Sequence, residues 1–239
     1  MSLMADNHPR DRNFKFTALG AVWVATAALL LISGFVSPAM LQLGQMLNIL
    51  QVAAFLGVLA TGQTLVLLVG GIDLSQAGMV TLINIVSTSI MLGSDTNTAA
   101  AIIACTGLAA LIGLVNGIVV TVLRVTPLIA TLAANSVLFG AALVYTGGAP
   151  HGAAAPGFQW IGAGNLMGFP ASTIFWLAIA LAAAWVTRKT VYGRWLYATG
   201  ANAAAARLMG VPVGRVVVSA YVMSAVLAAF GGLLFTAYI

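Results

Sequence analysis

The side chains suited to proton transfer, nucleophilic attack or metal binding are few: four acids, two histidines and one cysteine in 239 residues. Asp73 is the one acid set within a membrane-length apolar region, and no second carboxylate accompanies it for paired acid–base work. His8 and His151 stand alone, without the partner spacing of a metal site or a nucleophile relay. Cys105, in an apolar run, reads as a small core residue. Gly57–Thr64, GVLATGQT, imitates a phosphate-binding loop, but Gln63 takes the lysine position and no strand precedes it. The chain therefore has no ATP site of its own, and no catalytic residue, metal or cofactor is expected.

What remains is the group Gly70, Gly71, Asp73 and Ser75. Glycine accepts backbone conformations a helix cannot use, and Asp73 or Ser75 can satisfy the free amides of the next helix, so the stretch is a break and a restart. Near a membrane face Asp73 is a cap; at a helix centre it costs about 2.5–3.5 kcal/mol and marks a polar pathway. Alternation of spans favours the cap, and both roles stay open. Asn48, Gln51, Gln63, Asn84, Asn116 and Asn135 are amides inside apolar runs. Because an unsatisfied amide in hydrocarbon costs several kcal/mol, they are expected to face the bundle, joining helices or lining a path. Gly113 and Gly117 form a GxxxG pair read as close helix packing.

The elements that position these residues are apolar helices. The composition is 62% hydrophobic and 5% charged, against roughly 25% charged in an ordinary soluble domain. No charge occurs between Lys15 and Asp73 or between Arg124 and Arg188, and each interval holds two spans of about 20 residues. The fold expected is an all-α polytopic membrane protein. It has about seven transmembrane helices, near residues 16–37, 46–69, 74–92, 99–123, 127–146, 170–187 and 216–239, with a broken or re-entrant helix near 70–75. Residues 1–16 form a basic tail, and 17–239 a single transmembrane domain. The first span is too long for a signal-peptide core and stays uncleaved. The final segment is still apolar at Ile239, so further C-terminal helices are expected.

Five of the nine Lys and Arg, namely Arg188, Lys189, Arg194, Arg207 and Arg215, fall between residues 188 and 215. Counting alternation from a cytoplasmic amino terminus places all nine inside, with external loops near 38–45, 93–98 and 147–170. The net charge of +5 is thus a matter of orientation and not of nucleic acid. Within the basic loop, Asn202 is placed to cap a short helix from Ala203 to Met209, Gly210 to end it and Pro212 to prevent its continuation.

Three blocks resemble one family, the inner-membrane permease subunits of bacterial ABC importers for sugars of the ribose, xylose and arabinose type. Leu68–Ser75, LVGGIDLS, looks like the family's GGIDLS signature. Asn116–Leu132, NGIVVTVLRVTPLIATL, is similar to its NG, RV, P and IATL block. Tyr192–Gly210, YGRWLYATGANAAAARLMG, is similar to its YGR, YA, G, N, AARL and G block. The resemblance runs from about residue 40 onward. Gln76 and Ala77 depart from the Val and Gly common after GGIDLS, and Ala203 and Ala204 from the acidic or polar residues frequent there.

The resemblance implies a multi-pass inner-membrane permease moving a small polar solute, a monosaccharide, by alternating access. Its partners would be an ATP-binding subunit, a periplasmic substrate-binding protein, a second permease copy and membrane lipid. By the same resemblance Gly193, Arg194, Tyr197, Gly200, Asn202, Arg207, Leu208 and Gly210 would couple to the ATPase. Gly70, Gly71, Asp73, Ser75, Asn116, Gly117, Arg124 and Pro127 would form the pathway or helix break. The alternatives are a permease of the same machinery for nucleosides or branched-chain amino acids, and an ion-coupled secondary transporter. The last would want intramembrane ionisable residues and inverted repeats, of which the chain has one acid and no clear repeat.

Overall fold

A computed structural model describes the backbone from residue 12 and side chains from residue 20; most of the basic tail lies outside the described residues. The chain divides into two units, Met1–Asn48 and Ile49–Ile239. In the first, α1 (Arg12–Val36) runs into a 3-10 turn at Pro38–Leu41, where proline's fixed φ suits the first position. Gly34 leaves room for the Leu41 side chain to fold back onto α1. The apolar face of α1, Trp23, Leu29 and Phe35 included, is exposed, as expected of a surface that meets lipid.

The second unit takes up α2 (Leu43–Leu68) from Ile49 onward and contains α3 (Gln76–Met91), α4 (Thr98–Thr121), α5 (Pro127–Thr146) and α6 (Pro156–Ala163). After them come α7 (Ala171–Lys189), α8 (Val191–Ala201), α9 (Ala203–Leu208) and α10 (Val213–Tyr238). Among the described residues five helices, α2, α4, α5, α7 and α10, are long and apolar enough to cross a membrane; α1 and α3 contribute shorter apolar stretches. At 1.5 Å per residue, the 16 residues of α3 rise only about 24 Å, less than the roughly 30 Å hydrocarbon core.

The last helix, α10, is the hub, packed on α4, α3 and α6. Its inward side is built of small residues, among them Ala220, Ser224, Ala225, Ala228 and Gly232, so neighbouring backbones come close. Gly113 and Gly117 of α4 answer them. A β-carbon on Gly113 would lie 2.7 Å from the Tyr221 carbonyl oxygen, and one on Gly117 2.8 Å from the Val218 α-carbon. The GxxxG pair thus closes α4 on α10 within one chain. Met79, Ile83, Met91, Cys105 and Phe158 fill the core around this contact.

Residues 147–170, expected as an external loop, contain secondary structure of their own. They hold α6 and a small hairpin pairing β1 (Asn165–Leu166) with β2 (Phe169–Pro170). The hairpin's two turn residues, Met167 and Gly168, both have positive φ, the conformation that matches strand twist. Asp95 reaches across to cap α6, its Oδ1 accepting from the Gly157 amide at 2.8 Å, and the Gly93 amide donates to the Ala153 carbonyl at 2.9 Å. These bonds join residues 93–98 to residues 147–170, two stretches expected on one side.

Candidate functional site

The break between α2 and α3 is a sequence of local solutions to one problem, an interrupted helix within an apolar bundle. Gly70 has φ +80°, its amide donates to Leu67 and the Gly71 amide to Val66, which is the Schellman end of α2. Gly71 is small for another reason: a β-carbon there would stand 2.6 Å from the Tyr221 hydroxyl oxygen. Asp73 then turns the chain back toward a helix, Oδ1 accepting from the Ser75 amide at 3.0 Å. The Gly78 amide in the first turn of α3 is satisfied by Asn135 Oδ1 of α5 at 2.8 Å. Capping of α3 is therefore divided between a near acceptor and a distant one.

Asp73 is 4% exposed, and both carboxylate oxygens are occupied. Oδ1 also accepts from Ser75 Oγ at 2.6 Å, and Oδ2 from Ser224 Oγ of α10 at 2.9 Å. Each hydroxyl is in turn donated to by an amide: Asn116 Nδ2 of α4 bonds Ser75 Oγ at 3.0 Å, and Gln76 Nε2 of α3 bonds Ser224 Oγ at 3.0 Å. Amide donation occupies lone pairs on the hydroxyl oxygens and leaves their protons for Asp73, so two donor chains converge on one carboxylate and polarise in the same sense. The break's backbone is held as well. Gln63 of α2, with its amide turned accordingly, bonds the Asp73 carbonyl at 3.1 Å and amide at 3.3 Å. Thr131 of α5 accepts from the Leu74 amide at 3.0 Å, and the Tyr221 hydroxyl donates to Ile72 at 3.4 Å. Five helices meet at this knot and supply the donors that a buried acid requires to offset its desolvation.

Of the residues expected here, Gly70, Gly71, Asp73, Ser75 and Asn116 come together. Gly117 does not join them; it packs on α10 at Val218. Arg124 and Pro127 take no part in the knot's hydrogen bonds but line a cavity, described below, whose wall also includes Gly70, Gly71 and Tyr221. Gln63, Gln76, Thr131, Tyr221 and Ser224 belong to the knot without having been singled out for it. Of the six amides expected to face the bundle, five do what an amide in an apolar helix must, whereas Asn48 is exposed on α2. Gln51, Gln63, Asn84, Asn116 and Asn135 each bond an element other than their own, Gln51 reaching the Gly162 carbonyl and Asn84 the Thr236 hydroxyl.

The basic stretch after α7 contains two helices at an elbow. The first, α8, is fastened to the body: Thr190 caps it by accepting from the Gly193 amide at 3.2 Å, and Leu196 is buried against Leu65, Val216 and Ala220. Tyr192 bonds Ser219 of α10 at 2.8 Å. Burial raises the Tyr192 phenol above its ordinary range, more than the Ser219 bond lowers it, so it stays protonated. Gly200, one of the residues grouped with the ATPase coupling, lies inside α8, tight against the Leu68 carbonyl where no β-carbon fits. The start belongs to Asn202, whose Oδ1 accepts from the Ala204 and Ala205 amides at 3.0 Å each. The end belongs to Gly210 at φ +81°, with Gly210 donating to Arg207 and Val211 to Ala206 in a second Schellman motif. Ala206 anchors α9, while Leu208 and Met209 are 90% and 84% exposed at its tip. Arg194 and Tyr197 lie on the open side of α8.

A cavity of about 450 Å³ lies behind the elbow, lined by Gly70, Gly71, Arg124, Thr199, Arg207 and Tyr221 among others. It joins the rear of α9 to the Schellman turn that opens the break.

Residues 45–239 match the family model described as the branched-chain amino acid transport system / permease component. The chain is 35% identical over 216 residues to the ribose import permease protein of Escherichia coli strain K12, covering 88% of this chain and 67% of the relative. It is 32% identical to that organism's galactofuranose transporter permease protein, covering 98% of this chain and 71% of the relative. Its identity to the galactose/methyl galactoside import permease protein of the same strain is also 32%, over 90% of this chain and 69% of the relative. No solved structure matches the chain.

Proposed function

Since the chain belongs to the permease-component family of these transport systems, we propose that it is the membrane-spanning subunit of an ABC importer for a monosaccharide. Alternating access in it is driven by a partner ATPase. The sugar is favoured over an amino acid because the relatives named above are permeases for ribose, galactofuranose and galactose. The amino terminus and residues 188–215 face the cytoplasm of a cell whose inner membrane holds seven spans of this chain. Two groupings support that topology. Arg124 and Arg207, from stretches expected inside, line one cavity, and residues 93–98 bond to residues 147–170, both expected outside.

The observation that carries the mechanism is the elbow. Energy from a soluble ATPase needs a stiff projection with a sticky tip and a linkage to the pathway. Leu208 and Met209 supply exposed apolar surface on a helix capped at both ends. Its base, α8, grips α2 and α10, whose residues Gln63, Tyr221 and Ser224 hold the break. Gly193, Gly200, Asn202 and Gly210 keep this geometry, while Arg194, Tyr197, Arg207 and Leu208 meet the partner or stand just behind it. Asp73 acts as the knot of the helix break and not as an ion-coupling site, since its oxygens are already committed to fixed donors. A second permease copy completes the pathway, and a periplasmic binding protein delivers the solute.

The test is uptake by vesicles containing this permease, its ATPase and the loaded binding protein, with ribose, galactose and leucine as competing solutes. ATP-dependent accumulation of a sugar is expected. Accumulation of leucine alone would replace the sugar reading, and uptake driven by an ion gradient without ATP would replace the mechanism.

A further inference from the structure

We propose that the cavity behind the elbow is a binding site for a phosphate-bearing anion. Its 450 Å³ falls within the usual range of small-ligand sites. Two cationic side chains, Arg124 and Arg207, line it, and none of its lining residues is acidic. Arg124 comes from the turn between α4 and α5 and Arg207 from α9, so the charges are brought together by the fold. Arg124 also holds φ +55°, an unfavourable conformation for a residue with a β-carbon.

The independent observation is Thr199. It is 3% exposed, it lines the same cavity, and its hydroxyl has no hydrogen-bond partner. The other lining hydroxyls are used: Tyr221 donates to Ile72 and Thr121 to Gly117. A buried hydroxyl without a partner is unfavourable, and the wall Thr199 belongs to carries two guanidinium groups and no acid, which calls for a ligand rich in acceptor oxygens. Phosphate has that chemistry, and its oxygens suit the guanidinium fork. An acidic side chain of the ATPase is the less suitable occupant, because the tip residues that project outward, Leu208 and Met209, are not part of the cavity wall. A bound phosphate would bridge α9 to the turn at Gly70–Gly71 and brace the elbow against the break. Assigning this face to the cytoplasm rests on the topology proposed above; the anion site itself does not.

The experiment titrates inorganic phosphate against chloride at constant ionic strength into the purified permease in detergent, following the unfolding midpoint and the heat of binding. A saturable rise in midpoint is expected, with Arg124→Gln and Arg207→Gln each weakening apparent affinity about tenfold. Thr199→Val should weaken phosphate binding while leaving the phosphate-free protein at least as stable, since the lost hydroxyl had no partner. Arg188→Gln, outside the cavity, should change nothing. Nanodiscs of phosphatidylglycerol and of phosphatidylcholine separate the sources. If the headgroup is the natural ligand, the phosphatidylglycerol discs give the stabilisation without added phosphate and with the same arginine dependence. The proposal is overturned if neither source gives an effect, if the effect survives in both arginine variants, or if Arg124 and Arg207 matter only once the ATPase is added.

Discussion

Ser224 and Asp73 lie 151 residues apart, and the hydroxyl of the first donates to Oδ2 of the second at 2.9 Å inside the bundle. The bond ties the hub helix to the helix break, and Gln76 makes it directional by donating to Ser224. Gln76 thereby ties the first turn of α3 into the same knot. Movement of α10 against α3 must therefore break or carry this pair.

Substitutions at Asp73 should rank by how many donors they strand. Asp73→Asn keeps an acceptor for Ser75 and loses the one facing Ser224, a cost of about 1–3 kcal/mol. Asp73→Leu leaves the Ser75 amide and hydroxyl and the Ser224 hydroxyl without acceptors, at about 1–3 kcal/mol for each. Uptake at equal membrane abundance and the unfolding midpoint in detergent should both fall in the order wild type, Asn, Leu. Wild-type uptake by the leucine variant would remove Asp73 from any role at the break.

Gly113→Val should destabilise the single chain by about 1–3 kcal/mol or more, because the new side chain meets the backbone of α10 at Tyr221 and Val222. The check is the unfolding midpoint together with oligomeric state by light scattering. A variant with unchanged stability and altered oligomeric state would make the GxxxG pair a dimer contact instead.

Asp95→Ala should loosen α6 by about 1 kcal/mol, the usual worth of a side-chain cap. Hydrogen exchange at Gly157 and Phe158 should quicken, while Asp95→Asn, which keeps the oxygen acceptor, should stay closer to wild type. Equal exchange in all three proteins would mean that the Gly157 bond contributes nothing to holding α6.

The parts legible in the sequence are those whose chemistry is local. Gly70, Gly210 and Asn202 announce helix ends because left-handed φ and side-chain capping act within four residues, and the apolar runs between charges mark the long helices within a few positions. What stayed hidden depends on distant partners. Ser224, Thr131 and Gln63 look like ordinary small or amide residues in apolar helices, and only the fold brings them to Asp73. The cap of α6 lies 62 residues away in sequence at Asp95, so Pro156–Ala163 had no local start signal beyond its proline. For α8 a signal did exist. Gly193, Leu196 and Thr199 recur every three residues and are buried together, a helical period masked by the glycines and charges around it.

The elbow can be separated from its charge. If the basic residues of 188–215 only hold orientation, each contributes about 1 kcal/mol near an anionic surface, and Arg207→Ala is covered by Arg188, Lys189, Arg194 and Arg215. If α9 is a lever, its shape and tip matter more than its charge. Gly210→Pro cannot adopt the φ of +81° and removes the amide that donates to Arg207, so it should unwind the end of α9. Leu208→Ala leaves the helix intact and strips apolar surface from the tip, about 2 kcal/mol if that side chain is buried by the partner. Both variants should insert normally, yet lose most of the stimulation of ATP hydrolysis by loaded binding protein in reconstituted vesicles. Leu208→Ala should also bind the ATPase more than tenfold more weakly in pull-down titrations, following from that area loss. Full stimulation in Gly210→Pro and Leu208→Ala together would dissociate α9 from energy transfer, and the Asn202 and Gly210 caps would then serve only to return the chain to α10.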